Sequence, residues 1–397
     1  MSRESEYIAK RKKQANNLSR LFKLMRIFPV NRQKIVFSTF EGDGGFCCNP
    51  RYIAEEIHRQ NLKLKMVWLT NDTSREFPDY IKVVRNTAFN RAFHLSTAKI
   101  WVDNYRKPYG TLKRKGQIYI QTWHATIGFK AVGLYRGDAF PQIARIVSEW
   151  DSDMIDIMLS NSEYCDRVYP KKLLYNGPTL RAGSPRVDCL INDRTLLREQ
   201  IRNRYNIAKA EGILLFAPTF RGGNQKEKKQ VIAPIPTIDF DAVLKALEDK
   251  YAAGWKVFLR LHPQLSAQME IMPLDHEDER LIDVSQAPDI SEIMAACDLV
   301  ITDYSSCAFD AAFANIPVLL YADDVQEYIK NRGQFMWDRS ELPFAIAEDN
   351  EQLMANIRDF DEMLYRAKVS DFMNKNGVCE KGKAAEAVTE YIRQICG

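Results

Sequence analysis

Short apolar runs of strand length alternate with helical segments along almost the whole chain, and this alternation constrains the fold more than any single motif. Strands read at 34–39, 64–70, 81–85, 99–102, 118–121, 155–160 and 180–182, with a helix at 49–60 after the first. A second series reads at 212–217, 256–261, 281–283, 299–302 and 317–321, with helices at 239–251, 290–296 and 306–314. Such a chain builds parallel sheets with right-handed crossovers. Its 397 residues exceed one compact core and fit two domains. The polar helical stretch 188–211 separates the two series. The division expected is a basic arm at 1–33, a Rossmann-like domain at 34–195, and a second Rossmann-like domain at 196–397 that includes the C-terminal helices. Residues 222–236, with glycines, lysines and two prolines, read as a surface loop.

With 46% hydrophobic and 27% charged residues the chain is of the globular class, and no stretch approaches the ~20 apolar residues that span a bilayer. The eight cysteines form no CxxC pair and no Cys/His knuckle, so free thiols in a reducing cytoplasm are expected, without zinc. Charge is unevenly placed. Residues 1–34 hold ten basic and two acidic side chains, a net of +8, so the other 363 residues carry −4 of the total +4. Leu18, Leu21, Phe22, Met25 and Phe28 recur there at helical spacing, with Arg20, Lys23 and Arg26 largely elsewhere around the helix. A basic amphipathic helix of this kind fits a membrane surface, through residues 10–28, and equally fits a helix packed on the body with its charges solvated. Nucleic acid is a poor partner for an acidic body without a recognition motif.

The residues able to carry chemistry gather at strand ends, where open α/β sheets bind ligands. In Leu299-Val-Ile-Thr-Asp-Tyr-Ser-Ser306 a buried strand breaks into Asp303-Tyr304, and Ser305 and Ser306 open a helical segment carrying Asp310. Paired hydroxyls and free N–H groups at such a place suit an anion, usually phosphate. His124, in Thr122-Trp-His-Ala-Thr126 before Gly128, and His262, in Arg260-Leu-His-Pro263, each follow a strand. A histidine there can act as general base or stabilise developing phosphate charge, although each alone also fits a structural role. Ala217-Pro218-Thr219-Phe220-Arg221 and Gly183-Ser-Pro-Arg186 add a hydroxyl and two guanidinium groups suited to diphosphate. Other patterns are weak. Gly42-Asp-Gly-Gly45 lacks the GxGxxG spacing, and Asp151-Ser-Asp153 reads as a helix-to-strand connection rather than a metal site. No P-loop, GxSxG elbow or HExxH is present.

In order along the chain, these segments resemble the CDP-glycerol glycerophosphotransferase family of teichoic acid and capsule synthesis. Residues 37–50 are similar to its N-terminal Gly-rich loop ending in Asn-Pro, Gln121–Thr126 to its Trp-His-Gly-Thr segment, and 183–188 to its Gly-x-Pro-Arg turn. Residues 217–221 resemble its Ala-Pro-Thr-Trp-Arg motif, 260–263 its Arg-x-His-Pro, and 289–328 its Thr-Asp-Tyr-Ser-Ser segment. The resemblance implies a GT-B-like fold, two Rossmann-like doubly wound domains facing a cleft, in an enzyme peripheral to the cytoplasmic face of the cell membrane. It implies transfer of glycerol phosphate, or a related polyol phosphate, from CDP-glycerol or CDP-ribitol to a lipid-linked saccharide or polyol phosphate acceptor, with release of CMP and no cofactor. His124 would then be the base and His262, with Arg260, would stabilise the leaving CMP. Arg186, Thr219, Ser305, Ser306 and Asp310 would hold the donor, with Thr126, Gly128, Pro218 and Arg221 lining the site. Ala125, Ile127 and Phe220 stand where the family usually has Gly, Pro and Trp, which bears on the polyol and acceptor more than on the reaction type. The length favours a single-addition or primase-like enzyme over a long polymerase. A GT-B glycosyltransferase using a nucleotide sugar, or a non-catalytic membrane-bound scaffold, would share much of this sequence pattern.

Overall fold

The computed structural model describes residues 3–125, 127–219, 237–261, 278–332 and 334–396. Its contacts divide the chain into two compact units: Met1–Thr126, Val132–Asp188 and Gly377–Gly397 in the first, Ile127–Ala131 and Cys189–Asn376 in the second.

The first unit is built on seven parallel strands: β1 (Asn31–Ser38), β2 (Lys65–Thr70), β3 (Lys82–Arg85), β4 (Ala98–Asp103), β5 (Ile118–Gln121), β6 (Ile157–Ser160) and β7 (Thr179–Arg181). Their spatial order, β3-β2-β1-β4-β5-β6-β7, reverses direction between β1 and β4. The inner strands are buried on both faces, which is why they read as continuous apolar runs instead of alternating ones. On one face Ile35, Phe37, Trp68, Ile100 and Val102 pack with Ile53 and Ile57 of helix Cys48–Arg59. Val388 and Ile392 of the last helix, Ala384–Cys396, join the same core. The C-terminal helix therefore packs on the first sheet, whereas the sequence places it with the second domain. Its apolar face is visible in the sequence, but nothing local selects between two sheets.

The N-terminal helix, Arg3–Met25, packs on helix Ala88–Thr97 of the same unit. Phe22 and Met25 are buried, and Phe28 meets Phe93 edge-on at 5.3 Å. The helix approaches the loop at Gly110 so closely that a Cβ there would lie 2.2 Å from the Ala15 carbonyl oxygen, and Gly110 has φ +96°. Glycine is required at that crossing. Much of the apolar stripe read from the arm thus faces protein, while Leu24 and Ile27 remain exposed.

The second unit repeats the arrangement with β8 (Gly212–Ala217), β9 (Trp255–Leu259), β10 (Leu281–Asp283), β11 (Leu299–Thr302), β12 (Val318–Tyr321) and β13 (Ala345–Ala347), in the order β10-β9-β8-β11-β12-β13, all parallel. Asp239, Asp289 and Asp349 each cap the helix that follows by accepting a backbone N–H. β13 was missed in the sequence: its apolar run, Ala345-Ile-Ala347, is only three residues long at a sheet edge, with Ala345 exposed and no alternation to mark a strand. The segment Ile127–Ala131 belongs to this unit, anchored by Phe129, whose ring lies 4.8 Å from that of Phe309.

Candidate active site

Both sheets have their switch in strand order beside the first strand, β1 against β4 and β8 against β11, and ligands of open α/β sheets bind beyond the strand ends at such points. In the first unit the residue after β4, Asn104, places its carbonyl oxygen 2.8 Å from Nδ1 of His124. A carbonyl only accepts, so Nδ1 carries the proton and the ring's lone pair lies on Nε2. Burial of the ring, aided by the charges of Arg186, Lys172 and Arg106 and only partly offset by the Asn104 bond, pushes the pKa down to about 4. The imidazole is neutral at physiological pH, in the protonation state a base requires.

The loop carrying His124 is fixed from several directions. Thr122 donates its N–H and its hydroxyl to the Asp103 carbonyl, at 2.8 and 3.1 Å. Lys172 donates to the Ala125 carbonyl at 3.1 Å, and the Arg186 guanidinium donates to the carbonyl of His124 itself. Trp123 and Tyr105 stack on the imidazole with centroids at 4.8 and 5.6 Å, and Phe40 meets it edge-on at 5.3 Å. Phe40 arrives on the glycine-containing turn after β1, where its N–H donates to the Asn104 side chain at 2.8 Å. Asn104 thus holds the ring of His124 with its backbone and the turn beside it with its amide. Behind the loop, Asp103 and Lys107 form an ion pair in which each side chain is only 4% exposed.

In the second unit the Asp303 carboxylate organises the strand ends. It accepts the Thr219 N–H at 2.8 and 2.9 Å, the Thr219 hydroxyl at 3.1 Å and the Tyr304 N–H at 2.5 Å. The turn through Pro218 after β8 is thereby tied to the serine pair after β11. Ser305 and Ser306 are partly exposed, and Ser306 precedes helix Cys307–Phe313 without a side-chain capping bond. Asp310 lies buried one turn further on. Gly128 packs against Ser306, so that a Cβ added to the glycine would lie 3.5 Å from the serine Cβ, and its carbonyl accepts from Trp337 Nε1 at 3.1 Å. Arg260, just past β9, donates to the carbonyls of Val284 and Ala287 at 2.8 and 2.5 Å. Tyr304 also lines a largely apolar pocket with Phe129, Phe335 and Trp337, whose walls offer too few polar groups for a diphosphate.

Of the residues singled out in the sequence, His124 and Arg186 come together, as do Thr219 with the Asp303 segment and Gly128 with Ser306. Arg186 is only 8% exposed, and Arg260 braces a turn through two backbone carbonyls. Thr126, Arg221 and His262 lie outside the described residues, as does the whole of the expected loop at 222–236. Asp151 and Ser152 end helix Gln142–Ser152 and Asp153 is its C-cap. Among the described residues no cluster of His, Cys, Asp or Glu could hold a metal ion. Asn104, Phe40 and Lys172 were missed. Asn104 follows a strand and was open to the same strand-end reasoning as His124, whereas Lys172 sits in a helix and carries no local signal.

The family model described as CDP-Glycerol:Poly(glycerophosphate) glycerophosphotransferase matches residues 20–394. The teichoic acid poly(glycerol phosphate) polymerase of Bacillus subtilis strain 168 is 27% identical over 384 residues, covering 94% of this chain and 50% of the polymerase. The chain thus spans about half the length of that relative. It covers 95% of the Bacillus spizizenii protein of the same description, at 26% identity over 389 residues. A solved structure of the wall teichoic acid polymerase TagF matches at 25% identity with a TM-score of 0.81, covering 99% of this chain and 97% of that one. Another TagF structure is of a variant soaked with CDPG. The two Rossmann-like sheets are those of a GT-B-like fold, and with the family model matching nearly end to end, the chain belongs to the CDP-Glycerol:Poly(glycerophosphate) glycerophosphotransferase family.

Proposed function

We propose that this chain transfers glycerol phosphate, or a related polyol phosphate, from a CDP-alcohol to the hydroxyl of a lipid-linked saccharide or polyol phosphate acceptor in teichoic acid or capsule synthesis. The observation that carries the reading is His124, neutral, held in one tautomer by Asn104, with Nε2 as its proton acceptor. In the proposed reaction Nε2 takes the acceptor hydroxyl proton as that oxygen bonds to the β-phosphorus. The bond from phosphorus to the bridging oxygen breaks, and CMP leaves with the electron pair. In-line phosphoryl transfer asks mainly for positioning and charge stabilisation. Ser305, Ser306 and Thr219 offer hydroxyls for the donor, and Arg186, Arg260, Asp310 and the residues outside the described set, His262, Arg221 and Thr126, complete the proposed site with Pro218 and Gly128. Gly128 packs on Ser306 within the second unit, beside the hydroxyls proposed for the donor. An anionic donor beside Arg186, Lys172 and Arg106 would offset their charge and raise the basicity of His124 toward the useful range.

The test is acceptor-dependent CMP release from CDP-glycerol and CDP-ribitol. His124→Ala is expected to bind donor, read by calorimetry, yet release no CMP. Full activity in that variant, or no CMP from either donor across saccharide and polyol phosphate acceptors, would sink the reading.

Membrane contact through residues 10–28 is part of the same proposal. No described helix is long and apolar enough to cross a membrane. Leu24 and Ile27, 57% and 73% exposed, lie among Arg20, Lys23 and Arg26, a combination suited to an anionic lipid surface. Leu24→Glu with Ile27→Glu should reduce co-sedimentation with anionic vesicles and leave activity on a short soluble acceptor unchanged; unchanged co-sedimentation would count against this surface.

A further inference from the structure

The residue before His124 has an unusual backbone. Trp123 has φ +52°, in the left-handed region that a bulky side chain occupies only when its surroundings over-determine it. Both of its peptide groups are held by buried side-chain amides. Its N–H donates to Gln121 Oε1 at 2.9 Å, and its carbonyl accepts from Asn49 Nδ2 at 3.0 Å. Gln121 is fully buried and Asn49 is 1% exposed.

We propose that Asn49 and Gln121 are positioning residues that set the orientation and proton affinity of His124, a role that rests on His124 being the base. Each amide is used at both ends. Asn49 Oδ1 accepts the Arg186 N–H at 3.1 Å, and Arg186 in turn donates to the His124 carbonyl. Gln121 Nε2 donates to the Tyr105 carbonyl at 3.0 Å and to the Tyr119 hydroxyl at 2.7 Å, while Tyr105 stacks on the imidazole. The clamp therefore fixes the peptide on either side of Trp123, the ring face against His124 and the carbonyl of His124 together. Only an amide, with a donor and an acceptor on one planar group, satisfies both partners; a carboxylate of the same shape has no donor for a carbonyl oxygen.

Asn49→Asp keeps the acceptor for Arg186, removes the Asn49 donor to the Trp123 carbonyl and adds a charge, so the uncharged Asn49→Leu is titrated beside it to separate the lost donor from the charge. Gln121→Glu does the same at the other side, keeping the acceptor for Trp123 and opposing the Tyr105 carbonyl. Full-length protein with ¹⁵N-labelled histidine would be titrated by NMR, with His124 assigned from its missing signals in His124→Gln. Thermal unfolding, kcat and KM for CDP-glycerol would be measured alongside. The expected result for Asn49→Asp is a changed tautomer balance or titration midpoint at His124, with kcat down at least tenfold and KM within about threefold of wild type. Gln121→Glu should follow in the same direction and carries the test alone if Asn49→Asp does not fold. Wild-type His124 signals and titration in a folded variant would overturn the clamp, whatever happens to turnover. Equal deterioration of kcat and KM with unchanged His124 signals would do the same. Absence of CMP release by the wild type would instead count against the proposed reaction, and the titration would still decide whether the amides set His124.

Discussion

Asp151 of the first unit is fully buried, and replacing it with asparagine should make that unit's stability less dependent on pH. One carboxylate oxygen accepts the Lys107 N–H at 2.9 Å and lies 3.3 Å from the Tyr119 hydroxyl, which donates to it. The other has no hydrogen-bond partner among the described residues. Burial raises the pKa from 3.8 to about 7, against the opposing pull of Arg106. In the unfolded chain the proton is lost near pH 3.8 and in the folded one near 7, so between those values the folded state holds the extra proton. Stability therefore falls as pH rises through that window and the loss is complete above it, at about 4 kcal/mol for a shift of roughly three units. By the same arithmetic about 1.5 kcal/mol of it has accrued at pH 5. Asp151→Asn removes the titration but leaves an amide N–H₂ where the unpartnered oxygen stood, at a fixed cost of about 1–3 kcal/mol. Comparing the variant with wild type at pH 5 and pH 8 cancels that fixed cost. The measurement is denaturant unfolding followed by tryptophan fluorescence, since Trp68, Trp101, Trp123 and Trp150 all lie in the first unit. Relative to wild type, the variant should gain about 3 kcal/mol between the two pH values. A difference below about 0.5 kcal/mol would show that Arg106 and the hydrogen bonds fully compensate the buried charge, and the reasoning would fail.

Three further predictions concern the same unit. Ile392→Ala, at a fully buried position shared with Ile53 and Ile57, should cost about 2–4 kcal/mol in the first unit's unfolding transition and leave the second unit's unchanged. Loss confined to the second transition would contradict the packing of the last helix. Lys107→Met leaves the Asp103 carboxylate buried without its cation and should destabilise by about 3–5 kcal/mol, read by calorimetry; a neutral result would mean Asp103 is held uncharged. His94 is 8% exposed, and burial together with Lys34 and Lys82 pushes its pKa down to about 4. Between pH 6.5 and 4 the unfolded state binds the extra proton, so stability falls as pH drops, by up to about 3 kcal/mol. His94→Leu should flatten that part of the acid unfolding profile, and an unaltered slope would assign the acid lability elsewhere.

Strand positions were legible because the information is local. Ile118–Gln121, Gly212–Ala217, Leu281–Asp283 and Leu299–Thr302 stand where the sequence places strands, since each is a β-rich apolar run cut off by polar or turn-forming residues. The position of His124 was legible for a related reason: it stands just past a strand end, where open parallel sheets can bind ligands. Arg186 was also visible from its turn, but not what it does there, because its contact with the His124 carbonyl spans 62 residues.

Local pattern along the sequence marks two parallel α/β sheets, the strand ends where His124 and the serine pair stand, and, through ordered motifs, the family. Tertiary structure decided which partner each face and each functional group received. The apolar stripe of the N-terminal helix met helix Ala88–Thr97, and the C-terminal helix met the first sheet. The tautomer of His124 was set by a carbonyl 20 residues away, its loop by a lysine at a separation of 47, and the turn before it by an asparagine at 74. The physical reason is range: periodicity and turn chemistry act over a few residues, whereas burial, hydrogen-bond pairing and pKa depend on groups that only the folded chain brings within a few ångströms.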